Sequence, residues 1–177
     1  MAETYDDNRL VTGLFNDSAD AERAYRAVGA RGYHDKDINV VMSDDTRKRH
    51  FENTELAETE LGNKAAKGAG VGGAIGGTIG AIAAAVAAVG TSLVVPGLGL
   101  VIAGPIAAAF AGAGAGAAAG GIVGALVGWG IPEERVKHYE EGVKRGGILI
   151  GVRPKNAEDA AYIEKEWKTN RGEHVYY

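Results

Sequence analysis

The chain has no cysteine among its 177 residues, which excludes disulfides, thiol catalysis and cysteine-ligated zinc. Net charge is scarce too: 19 basic residues against 23 acidic ones leave −4, too little for polyanion binding by bulk electrostatics. The first eight residues, Met1 to Asn8, are acidic and have no apolar core, so they do not read as a secretory signal. Histidine is limited to four residues, His34, His50, His138 and His174, which fall in separate elements without metal-ligand spacing. They read as single, separately placed side chains. Neither a Walker lysine nor a nucleophile-base pair is present. Gly68, Gly70 and Gly73 match a GxGxxG pattern, but polar sequence rather than a strand precedes them. Glu140 and Glu141 are helix neighbours that point apart, and so are solvated carboxylates. No catalytic, cofactor or metal site emerges, and the chain reads as non-enzymatic.

The most telling absence lies in the middle. From residue 68 to residue 132 there is no Asp, Glu, Lys or Arg, and the stretch is built of Gly, Ala and branched aliphatics. The mean hydropathy of −0.09 conceals this segregation. Gly68, Gly72, Gly76 and Gly80 recur at every fourth position, as do Gly112, Gly116, Gly120, Gly124 and Gly128. On a helix that spacing bares one face of backbone, and another helix can pack closely on it. A glycine inside a helix costs about 1 kcal/mol relative to alanine, so two such rows make sense only if close packing repays them. Self-association within or between chains follows. The spacing predicts one helix from about Ala65 to Leu93 and a second from Pro105 to about Trp129. The intervening VVPGLGLVIAGP forms the turn. Two spans of roughly 20 residues would fit a bilayer, with Trp129 in its interfacial belt. Alanine and glycine contribute little to insertion, and a soluble oligomer that buries its hairpins is the competing setting.

The flanks carry regular patterns. Residues 10–15 read as a strand. Asp17 or Ser18 then caps a helix with Ala21, Ala24, Tyr25 and Val28 on its buried face, and residues 37–43 form a second strand. After the run, Pro132 opens a helix with Val136, Tyr139 and Val143 inward, and residues 148–152 form a strand. Asn156 caps a last helix that buries Ala160, Ile163 and Trp167, and residues 173–177 close as a strand. The segments Thr12 to Tyr25 and Ile150 to Tyr162 resemble each other. Two such units predict an α+β fold, a split βαβ ferredoxin-like domain of four antiparallel strands over two helices, interrupted by the Gly/Ala-rich α-helical hairpin. The division is residues 1–43 for the first half and 44–67 for a charged linker or juxtamembrane helix. The glycine-zipper hairpin takes 68–131 and the second half 132–177.

The linker holds Arg47, Lys48 and Arg49, followed by Lys64 and Lys67 just ahead of the apolar run. The cluster Arg47-Lys48-Arg49-His50 has two functional readings, lipid-headgroup contact at about 1 kcal/mol per basic residue or nucleic-acid binding, and a solvated linker with acidic neighbours is the default. With Arg135 and Lys137 beyond the run, the basic flanks orient a hairpin with the soluble domain facing the cytoplasm.

The stretch Gly130 to Pro154, GIPEERVKHYEEGVKRGGILIGVRP, resembles the bacterial general stress protein 17M-like (YflT-type) domain and the low-temperature-induced glycine-zipper membrane proteins. The resemblance rests on Gly130-Ile131-Pro132-Glu133-Glu134, Tyr139-Glu140-Glu141 and Gly146-Gly147, and on Val11 to Gly32 with Asp37 to Val41. It implies a stress-associated, non-enzymatic protein with no catalytic residues to carry over. The expectation is a homo-oligomer in or on the cytoplasmic membrane, with itself and the lipid bilayer as partners, and no nucleic acid or identifiable small-molecule ligand. A cytoplasmic assembly and a pore or permeability factor are the alternatives.

Overall fold

The computed structural model describes residues 9–52, 81–82, 93–95, 99–107, 123–124, 126–127 and 129–177. Six strands form one antiparallel sheet: β1 (Val11–Phe15), β2 (Ile38–Ser43), β3 (Leu93–Val95), β4 (Leu100–Ala103), β5 (Ile148–Val152) and β6 (Glu173–Tyr176). Their order is β3-β4-β2-β5-β1-β6. Four α-helices accompany them among the described elements: α1 (Ser18–Ala30), the single turn α2 (Asp44–Arg47), α3 (Glu133–Lys144) and α4 (Ala157–Thr169). The architecture is α+β.

The segments before and after the uncharged run interleave in this sheet. β5 pairs with β1, Val11 to Phe15 running against Val152 to Ile148, and on its other side with β2, Ile38 to Val41 against Val152 to Leu149. These three strands are apolar on both faces, which requires cover above and below. α1 and α4 cover one face. Asp17 caps α1, accepting the amides of Ala19 and Asp20, and Asn156 caps α4 by accepting the amide of Asp159. Ala21, Ala24, Tyr25 and Val28 then meet Ala160, Ile163 and Trp167 over Phe15, Val40, Met42 and Ile150. Trp167 is fully buried. Its indole N–H donates to the Ala24 carbonyl at 3.1 Å, and its ring meets Phe15 edge-on at 5.9 Å. Gly13 lies under this ring, where a Cβ would come within 2.9 Å.

The other face is covered by α3, whose Val136, Tyr139 and Val143 pack on Leu14, Val41 and Leu149. The expected two-helix layer is therefore one of two layers, and the sheet is buried on both sides.

The middle of the uncharged run departs from the expected hairpin. Residues read as an outward-facing turn form β3 and β4, and β4 pairs with β2 from Val40↔Ala103 to Ser43↔Leu100. Leu100, Val101, Ile102 and Ala103 are buried. Two spans would put this segment across a bilayer from β2, whereas the backbone ladder holds it beside β2. A run of β-branched residues completes its hydrogen bonds on the open edge of a sheet, and that drive overrides the turn reading. Trp129 likewise packs on the sheet, its ring 3.1 Å from where a Cβ on Gly151 would stand. Among the described residues no helix is long and apolar enough to cross a membrane. Most of both expected hairpin helices lies outside the described residues.

Candidate functional site

The uncharged run is fastened to the domain at points on opposite faces of the sheet. On the α1/α4 face Ile82 is fully buried in the core. The Glu22 carboxylate on α1 accepts the backbone amides of Ala81 and Ile82, the second at 3.2 Å, and also receives Arg26 Nε at 2.9 Å. Hydrogen bonds of this charged kind contribute about 1.5–3 kcal/mol each. On the α3 face Ile106, Ala107 and Leu126 join the core. There the buried Asn39 of β2 donates to the Gly151 carbonyl at 3.2 Å and accepts the amide of Ile106 at 2.9 Å. Gly104 makes the bend after β4 at φ +98°, with its Cα so close to β2 that a Cβ would stand 2.3 Å from the Ile38 carbonyl. Only glycine fits there.

Of the two glycine rows, Gly124 is described. It is exposed, and a methyl group there would meet no atom of the described residues within 4 Å. Three residues on, Val127 is 45% exposed, while Leu126 between them is fully buried. This segment thus plants one side in the core and leaves another uncovered. Gly68, Gly72, Gly76, Gly80, Gly112, Gly116, Gly120 and Gly128 lie outside the described residues, as do Lys64 and Lys67.

The basic cluster belongs to the domain rather than to a free linker. Ser43 caps α2, and Thr46 is fully buried with its hydroxyl donating to the Gly146 carbonyl at 3.2 Å. Lys48 and Arg47 both reach Asp44, at 2.8 and 2.9 Å, and hold its carboxyl below the usual carboxylate range. Arg49 Nε donates to the Asp45 carbonyl at 3.2 Å. Acidic neighbours therefore offset much of the charge expected to meet lipid headgroups.

A second polar constellation forms where β6 meets α3. From Leu14↔Glu173 to Thr12↔Tyr176 β6 has one residue more than β1, a bulge. His174 sits in it at φ +49°, a left-handed conformation that costs a non-glycine residue about 1–2 kcal/mol. Its carbonyl accepts the Tyr139 hydroxyl at 2.7 Å, and that hydroxyl lies 2.8 Å from Thr12 Oγ1. Burial pushes the Tyr139 phenol up to about 12, against the lowering effect of the Thr12 hydrogen bond. The bulge turns the His174 ring onto His138 of α3, with centroids 4.6 Å apart and planes 9° from parallel. Arg135 lies over the Tyr176 ring at 4.0 Å. The two histidines read as separate are thus neighbours. Sequence spacing does not reveal this, because the sheet brings α3 and β6 together from distant parts of the chain. Among the described residues no group of three or more His, Cys, Asp or Glu converges as a metal site.

Comparison with known proteins finds no matching family model, curated protein or solved structure.

Proposed function

We propose that this chain is a non-enzymatic, stress-associated protein that assembles with copies of itself through its glycine rows, using a ferredoxin-like split domain as scaffold. The strand order β2-β5-β1-β6, with α1 and α4 on one face, supports the split βαβ reading. The stress association rests on the sequence resemblance in residues 130–154.

The observation that carries self-assembly is Gly124. Packing against the described parts of its own chain does not require a glycine there, because the space beside it is open. The intermolecular form is favoured by the anchors. Ile82 and Leu126 sit in cores on opposite faces of one sheet, so the sheet stands between these two anchors. On this reading, glycine rows next to anchors on opposite faces meet between copies rather than within one.

The pairing of β4 with β2 favours a particle, soluble or peripheral to the cytoplasmic membrane, over a hairpin of two spans. Replacing Gly76 and Gly120 together with leucine is expected to reduce the assembly to smaller species in light scattering. An unchanged particle mass would refute the glycine-row reading. Carbonate washing is expected to release the protein from membranes, and resistance to it would restore the spanning hairpin.

A further inference from the structure

The stacked histidines join the C-terminal edge strand to α3. Among the described strands β6 is outermost and pairs with β1, and the bulge interrupts that pairing. Tyr139 holds the bulge through the His174 carbonyl, and the His138–His174 stack and the Arg135–Tyr176 contact close over it. Both imidazoles are exposed and open to protons. Histidine is also the side chain whose charge changes between pH 5 and 8.

We propose that the His138–His174 stack is an acid-sensitive latch on the C-terminal strand. It is closed while at least one ring is neutral and is opened when both rings carry a proton. Two neutral or singly charged imidazoles stack favourably face to face. Two imidazolium ions 4.6 Å apart repel, and even at the dielectric of water the repulsion disfavours the closed form about five-fold. Arg135 on α3 and Arg171 in the turn before β6 add positive charge to the neighbourhood. Glu134 and Glu141, one turn either side of His138, and Glu173 beside His174 offset part of it. Tyr139 keeps its proton throughout this range, and Arg9 is occupied with the Tyr177 carbonyl. With these charges nearly balanced and salt screening the exposed pair, the net effect expected is about two- to five-fold. Its sign follows from proton counting: the opened strand binds one proton more than the stack, so opening grows as pH falls. Opening uncovers the hydrogen-bonding edge of β1 at Thr12 and Leu14.

Hydrogen exchange of the full chain, corrected for the intrinsic pH dependence of exchange, tests the latch at pH 7.5 and 5.0. Protection of residues 173–176 is expected to fall about two- to five-fold on acidification, with β5 unchanged, and high salt should shrink the effect. His138→Phe keeps a ring in the stack without the second proton and should hold its protection at pH 5.0. His174→Asn suits the left-handed backbone and should show low protection that is equal at both pH values. His138→Gln, which also cannot titrate, gives the same test should the phenylalanine variant fail to fold. Equal protection of the wild type at both pH values, or the same loss in the non-titrating variants, would overturn the latch.

Discussion

Replacing Asn39 with alanine tests whether the glycine-rich run is built into the sheet. Asn39 is 3% exposed and faces α3, with its amide group bridging Gly151 of β5 and Ile106 beyond β4. Truncation to alanine removes both hydrogen bonds and the buried partners stay where they are. The Ile106 amide stands at the start of a helical turn, where no earlier carbonyl of that turn serves it, so it bears most of the penalty. An unsatisfied buried donor costs about 1–3 kcal/mol, and the lost bond to Gly151 adds about 1 kcal/mol. A total of about 2–4 kcal/mol is a large part of the roughly 5–15 kcal/mol that stabilises a typical domain. For a chain of this size that corresponds to a fall in Tm of about 4–16 °C. Urea denaturation followed by tryptophan fluorescence measures it, because Trp129 lies over Gly151 and Trp167 reports the opposite core. Exchange at the Ile106 amide should accelerate alongside. A loss below about 0.5 kcal/mol with an unchanged denaturant slope would refute the reasoning, since Ile106 would then not depend on Asn39. The anchoring of the run on the α3 face would fall with it.

Gly142→Ala sets two magnitudes against each other: alanine gains about 1 kcal/mol in helix propensity, but its Cβ would stand 2.1 Å from Cδ2 of the fully buried Leu14. Overpacking costs about 1–3 kcal/mol, so net destabilisation of about 1 kcal/mol is expected in urea titration, and a stabilised variant would contradict the α3–β1 packing. Tyr139→Phe should cost about 1–2 kcal/mol at neutral pH through its bonds to Thr12 and the His174 carbonyl. The folded chain keeps the Tyr139 proton up to about 12 while an unfolded tyrosine releases it near pH 10, so this contribution is full below pH 10 and declines as pH rises towards 12. The gap between wild type and variant, measured by urea titration at pH 8, 10 and 11, should narrow across that window; a constant gap would contradict the burial of the phenol.

The helices were legible because each carries its own evidence. The stripes at Ala21-Ala24-Tyr25-Val28, Val136-Tyr139-Val143 and Ala160-Ile163-Trp167 are local, as are the caps at Asp17 and Asn156, and the same residues turn inward in the structure. The face each helix covers is not local information, and α3 therefore lay hidden on the far side of the sheet. β3 and β4 were missed for a different reason. A strand buried on both faces, as β4 is, shows no polar alternation, and Pro96, Gly97 and Gly99 between the two look like the turn of any hairpin, helical or β. The β-branched pairs Val94-Val95 and Val101-Ile102 on either side were the available signal. Asn39 offered another. A lone amide among Ile38, Val40 and Val41 is a poor strand former, and a buried one needs hydrogen-bond partners outside its own ladder.

The same pairing changes what the absence of charge means. An uncharged stretch from 68 to 132 looks like a segment withdrawn from water into lipid, yet Leu100–Ala103 within it is withdrawn into the protein's own sheet. Ile82, Ile106 and Leu126 make the same choice on either face. Apolar composition selects burial without selecting the medium. The glycine spacing is the more specific signal, because an ordinary core would fill those positions with larger side chains and gain roughly 0.8 kcal/mol per buried methylene. Gly124 is exposed beside Val127, and among the described residues no atom lies within 4 Å of a methyl group added there. On the self-assembly proposed above, the helix cost of about 1 kcal/mol that such a glycine carries would be repaid by the close approach of a second copy.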